Sequence, residues 1–83
     1  MPHVIVEYLF DPPATDALFD ESGKRLGPCL QERNIAWVES FVSLDRRRRI
    51  CVFQSPDADS VRSAFRTANV KIERVWSSDR LAP

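Results

Sequence analysis

Few residues in this chain are able to do chemistry, and three of them fall on runs that read as β-strands. "WVESFV", residues 37–42, carries a carboxylate, Glu39, in the middle of an otherwise apolar stretch. A charge in such a place is costly to bury unless it is paired or binds something. Glu7 occupies a comparable place in "HVIVEYLF", residues 3–10, and His3, the sole histidine, opens that run. Two carboxylates and an imidazole suit a divalent first-row metal. The same groups suit an acid and a base around a small organic ligand. A third reading needs no ligand: both glutamates form salt bridges with arginines across an interface, and such pairs often imitate sites. The spacing matches no known metal motif and does not choose among the three. His3 has a competing reading of its own, a frayed histidine near the chain start, where ordering is often poor.

The remaining reactive groups point to less. Cys29 and Cys51 have no metal-knuckle spacing, and two cysteines do not make a disulfide framework. Cys51 lies among apolar neighbours in "RICVFQ" and Cys29 on a helical stripe, so both read as inert, buried, reduced thiols. The run Arg46 to Arg49 has no interleaved aromatics and reads as a solvated hairpin tip, with a phosphate grip as the alternative. With Gly23 and Gly27 as its two glycines, the chain has no phosphate-cradling loop. A serine nucleophile elbow and a Cys-x-x-Cys pair are also missing, which argues against covalent hydrolase chemistry.

The elements that must position these residues follow from the pattern of the chain. Eighty-three residues make one domain, 1–83, with room for one modest core. Hydrophobic residues at 43% and charged residues at 29% fit a soluble globular chain rather than a disordered one. Lysine plus arginine equals aspartate plus glutamate at 12 each, which argues against general nucleic-acid binding. No apolar run is long enough to span a bilayer and no signal peptide opens the sequence, so the expected location is cytoplasmic, with neither nucleic acid nor membrane as a partner.

A first strand covers residues 3–10 and stops at "DPP". Thr15 then caps a helix, with Asp16 in its first turn and a stripe of Leu18, Ser22, Leu26 and Cys29. Pro28 inside that stripe costs ~3 kcal/mol and predicts a kink or a restart before the segment ends near Asn34. Strands over 35–44 and 49–55 form a hairpin around "DRRR". A second helix starts at "SPDADS", capped by Asp57 and lined by Ala58, Val61, Phe65 and Ala68. A fourth strand covers 70–77, and 78–83 is a tail.

Strand, helix, strand, strand, helix, strand is the ferredoxin-like βαββαβ order, an α+β fold. Both helices then cover one face of a four-stranded antiparallel sheet and leave the other bare. Strand alternation puts Ile35, Trp37, Glu39, Phe41 and Ser43 on one face, and His3, Ile5, Glu7 and Leu9 share a face of the first strand. These are the sets expected on the bare side. An even-numbered hairpin turn pairs Val42 with Cys51, sends Cys51 and Phe53 under the helices, and leaves Ile50 and Val52 on the bare side; an odd turn reverses this. A bare face with Trp37 and Phe41 on it is too apolar for water. The expected remedy is a homodimer, two sheets facing each other as a dimeric α+β barrel with Glu7, Glu39 and His3 inside it.

"WVESFVSLDRRRRICVFQSPDADSVRSAF", residues 37–65, resembles a family of small bacterial proteins of unknown function that includes a nickel-binding member. Its hallmark runs Trp-Val-His-Ser-Tyr-Val, a charged turn, Tyr-Cys-Val-Tyr, then a proline and an acidic helix start. "VIVEYLF" fits as well, with Glu7 where such proteins carry a glutamate. The resemblance implies the ferredoxin-like fold, a dimer, and a divalent metal such as nickel. It departs from the pattern at Glu39, which stands in place of the strand histidine, at Ile50 in place of an aromatic, and at Ala64 in place of a helix histidine. A carboxylate is a harder ligand than imidazole, so metal binding at Glu7 and Glu39, with His3 as a local extra, would tilt from nickel toward manganese, magnesium or adventitious zinc.

The expected function is therefore a small dimeric binding protein that holds a divalent metal or small ligand on the barrel side. One alternative is a monooxygenase- or isomerase-like enzyme using the same cavity, with Glu39 or Glu7 as base and Trp37 as a wall. The other is a purely structural dimer.

Overall fold

Both helices begin where the sequence places a cap. The structure, a computed structural model, describes residues 2–83. The Leu18 N–H donates to Thr15 Oγ1 at 3.1 Å and opens helix α1, Asp16–Glu32. The Ser60 N–H donates to Asp57 Oδ1 at 2.6 Å and opens helix α2, Ala58–Thr67. Each cap satisfies an amide that has no partner inside the helix. Strands β1 (His3–Leu9), β2 (Ala36–Val42), β3 (Arg48–Gln54) and β4 (Arg74–Ser78) complete the order βαββαβ. The sheet runs β2-β3-β1-β4 with every neighbouring pair antiparallel. This is the ferredoxin-like α+β arrangement. Among the described residues no helix is long and apolar enough to cross a membrane.

The core lies between the helices and one face of the sheet. Val4, Val6 and Tyr8 of β1 and Cys51 and Phe53 of β3 meet Leu26 and Leu30 of α1 and Val61, Ala64 and Phe65 of α2. Phe53 and Phe65 meet edge to face with centroids 5.8 Å apart, and burying each side chain contributes about 1.5–3 kcal/mol. Helix α1 runs through Pro28 as one element where the sequence predicted a kink or restart. Proline forfeits one backbone bond there, but buried Leu26 and Leu30 bracket it and hold both sides of the break against the core.

Two strands begin later than the apolar pattern predicts, and the reason is the same in both. Asn34 and Asn69 adopt left-handed backbone, with φ of 55° and 56°. The Ile35 N–H then reaches back to the Leu30 carbonyl at 3.0 Å, and the Val70 N–H to the Phe65 carbonyl at 2.9 Å. Both are Schellman-type helix ends, in which an apolar residue after the left-handed one packs against the last turn. Ile35 and Val70 are therefore the closing residues of helices, not strand positions.

The β2–β3 hairpin turns over Leu44–Arg47, with the Ser43 N–H bonded to the Arg48 carbonyl at 2.9 Å. Val42 pairs with Arg49 rather than with Cys51. The shift is two residues, an even number, so side-chain parity is kept: Cys51 and Phe53 face the helices, Ile50 and Val52 the bare side. Farther along, Trp37 pairs with Phe53 and Glu39 with Val52, so one extra residue, Val38, bulges out of β2. A bulge of one residue exchanges the two faces beyond it. Trp37 therefore lies on the helix side, and Ile35 is buried in the core. The expectation that both share the bare face with Glu39 and Phe41 is corrected by this bulge.

Candidate functional site

On the face without helices, side chains line up in rows across the four strands. Phe41, Ile50, Glu7 and Arg74 form one row, and Glu39, Val52, Ile5 and Trp76 the next. Gln54, His3 and Ser78 follow in a third. Glu7, Glu39 and His3 all occupy the face expected of them. Glu7 and Glu39 are separated by one row and two strands, which sets their Cα atoms about 12 Å apart at ordinary sheet spacings. His3 is as far from Glu39 by the same count, and about 13 Å from Glu7 along β1.

Glu7 is the best-held of the three. Its Oε2 accepts a hydrogen bond from the Trp76 indole N–H at 2.8 Å. It also borders a hollow of about 540 Å³ lined by Leu9, Phe41, Ile50, Arg48 and Arg74. Glu39 is exposed and His3 half-buried, and both lie outside this hollow. Among the described residues neither glutamate is in an ion pair. Leu9, Phe41, Ile50 and Trp76 are all exposed on this face, Phe41 at 62%.

Arg74 and Trp76 join the site through β4. Their signal in the sequence is the alternation in "ERVWSS": Val75 packs on the core, so its two neighbours point the other way. Sequence reasoning placed the wrong tryptophan here. Alternation without a bulge put Trp37 on this face from β2, but the tryptophan that stands on it is Trp76, on β4 at the opposite edge of the sheet.

Residues 5–77 match the model of the SCO4226-like family, described as nickel responsive protein SCO4226-like. The chain belongs to that family. Its fold also superimposes on the crystal structure of SCO4226 from Streptomyces coelicolor A3(2) with a TM-score of 0.82, covering 96% of this chain and 99% of the other. At 12% identity that likeness carries the fold alone. No curated protein matches the chain.

For this SCO4226-like chain, the donor geometry bears directly on metal binding. Among the described residues no three His, Cys, Asp or Glu side chains stand close enough together to hold a metal ion. Within the chain the candidate donors do not converge. Glu7 does keep its second carboxylate oxygen, and Glu39 keeps both.

Proposed function

We propose that this chain is a small homodimeric binding protein whose two bare sheet faces enclose a site for a divalent metal ion, with Glu7, Glu39 and His3 as donors. The observation that carries the reading is the bare face itself: Leu9, Phe41, Ile50 and Trp76 stand exposed around a carboxylate. Covering that surface is favourable at roughly 25 cal/mol per Å² of apolar area. Two sheets stacked face to face lie about 10 Å apart. At that separation carboxylates from two chains reach toward one another, which donors 12 Å apart in one sheet do not. The family's description as nickel responsive supports a metal as the ligand. The oxygen-rich donor set favours harder ions over a strong nickel preference.

The test is elemental analysis of protein purified without an affinity tag, followed by calorimetric titration with Ni²⁺, Mn²⁺ and Zn²⁺. Saturable binding that disappears in Glu39→Ala, with the circular dichroism spectrum unchanged, supports the reading. Unchanged affinity in that variant removes Glu39 from the ligand set, and no binding of any of the three ions overturns the metal site.

A further inference from the structure

A second cavity lies on the other side of the sheet. It opens between α1 and the helix-facing surface of β1, β3 and β2, and its volume is about 640 Å³. Small-molecule sites fall in the range of about 300–1,000 Å³ and are mostly apolar with a few placed polar groups. The walls here are Leu26 and Leu30 from α1, Phe53 from the sheet, and Trp37, which the bulge at Val38 turns to this side. Trp37 is nevertheless 61% exposed.

The polar groups of the sheet wall satisfy one another. The Trp37 indole N–H donates to Ser40 Oγ at 2.8 Å, and the Ser40 hydroxyl donates to Cys51 Sγ at 2.9 Å. The Cys51 thiol in turn lies 3.8 Å from the Tyr8 hydroxyl. Burial pushes the Tyr8 phenol above its ordinary value, so it stays protonated. This wall presents ring faces and a hydrogen-bonded relay, with its tryptophan held in place.

Arg49 is the exception. Its guanidinium sits 4.7 Å from the Phe19 ring centroid and 5.4 Å from that of Tyr8. Among the described residues its one side-chain hydrogen bond is a long one, 3.5 Å to Ser40 Oγ. Among the described residues Arg49, like Arg48, Arg66, Arg74 and Arg80, has no carboxylate partner, and of these it is the one that borders this cavity. At the mouth, Asp20 and Lys24 oppose each other in sign and leave Arg49 as the net charge. A guanidinium presents a planar fork that matches a carboxylate, and aromatic faces hold it in orientation. Gly23 and Gly27, one turn apart on α1, both border the cavity, and a Cβ built at either meets nothing within 4 Å. The helix thus leaves room where any other residue would add bulk.

We infer that the cleft between α1 and the sheet binds a small amphipathic carboxylate, its apolar body against Trp37 and the α1 leucines and its acid group on Arg49. The site is on the opposite side of the sheet from the proposed metal face and does not rest on that reading.

The experiment uses ¹⁵N-labelled protein titrated with 4-phenylbutyrate and, separately, with neutral 4-phenylbutan-1-ol. The indole N–H signal of Trp37 reports the cleft, and that of Trp76, on the other face, serves as the control. A saturable shift at Trp37 alone is expected, with the acid bound about tenfold more tightly than the alcohol through its charge-assisted hydrogen bonds. Arg49→Gln should remove that preference. Gly27→Leu, whose Cβ meets nothing within 4 Å and whose side chain adds bulk at the cavity wall, should abolish binding of both compounds. The inference is overturned by no saturable shift at millimolar ligand, by shifts at Trp76 instead, or by equal affinities for acid and alcohol in the native protein. Undiminished binding to the Gly27→Leu variant overturns it as well.

Discussion

The Trp76 indole donates to Glu7 Oε2 at 2.8 Å across the β1–β4 pairing, on the face that carries no helix. This contact orients one carboxylate in an apolar surround and leaves its second oxygen available. Glu7→Gln keeps an acceptor for the indole and removes the charge. We expect it to weaken divalent-metal binding at least tenfold by calorimetry while changing unfolding stability by less than about 1 kcal/mol in urea titrations. Equal metal affinity in the variant would show that Glu7 is not a donor.

The exposed row through Phe41 and Ile50 sets the expected assembly state. Light scattering after size exclusion should give a dimer at micromolar concentration, and Phe41→Glu should give a folded monomer, because a charge placed in an apolar interface is left without a partner. A native protein that elutes as a monomer contradicts the proposed face-to-face packing.

Acid should destabilise the fold through two carboxylates that the folded state keeps ionised. Hydrogen bonds from the Ser60 backbone and side chain hold Asp57 below the usual carboxylate range, and the Ser43 hydroxyl, followed by the Arg47 N–H, does the same for Asp45. A depressed folded value means that the folded chain binds fewer protons than the unfolded one. The stabilisation is complete above the unfolded value, near about 4, and fades as pH falls through the lower folded value. Thermal melts should drop across that window, and Asp57→Asn, a cap that does not titrate, should make the drop shallower.

Phe65 is 1% exposed and meets Phe53 and Tyr8 edge to face. Phe65→Ala should cost about 3–5 kcal/mol in chemical denaturation. Thr15→Ala, which removes the α1 cap, should cost about 1 kcal/mol. A Phe65→Ala cost no larger than that of the cap would mean that the two helices and the sheet do not share one core.

The order βαββαβ was legible because each element carries its own local signal. Thr15 and Asp57 are capping residues, β1 is rich in branched and aromatic residues, and "DPP" and "SPD" break the chain where elements change. Those signals placed Glu7, Glu39 and His3 on the bare face. Side-chain parity in the hairpin stayed open, because an odd turn would reverse it; the even turn over 44–47 decided it in the structure.

The rest depended on contacts between distant segments. The bulge at Val38 has no glycine or proline to announce it, and only pairing with β3 reveals that Trp37 meets Phe53 while Glu39 meets Val52. That single residue turned Trp37 from the bare face to the wall of the cleft. Ile35 and Val70 read as strand by composition and became helix closures through bonds to Leu30 and Phe65. The row-and-strand separation of the three donors follows from β3 lying between β1 and β2, an order fixed by packing rather than by the sequence of elements. Alternation and capping are local and act within a few residues of chain; register, bulges and cavities are set by which surfaces pack together, and only the tertiary structure decides that.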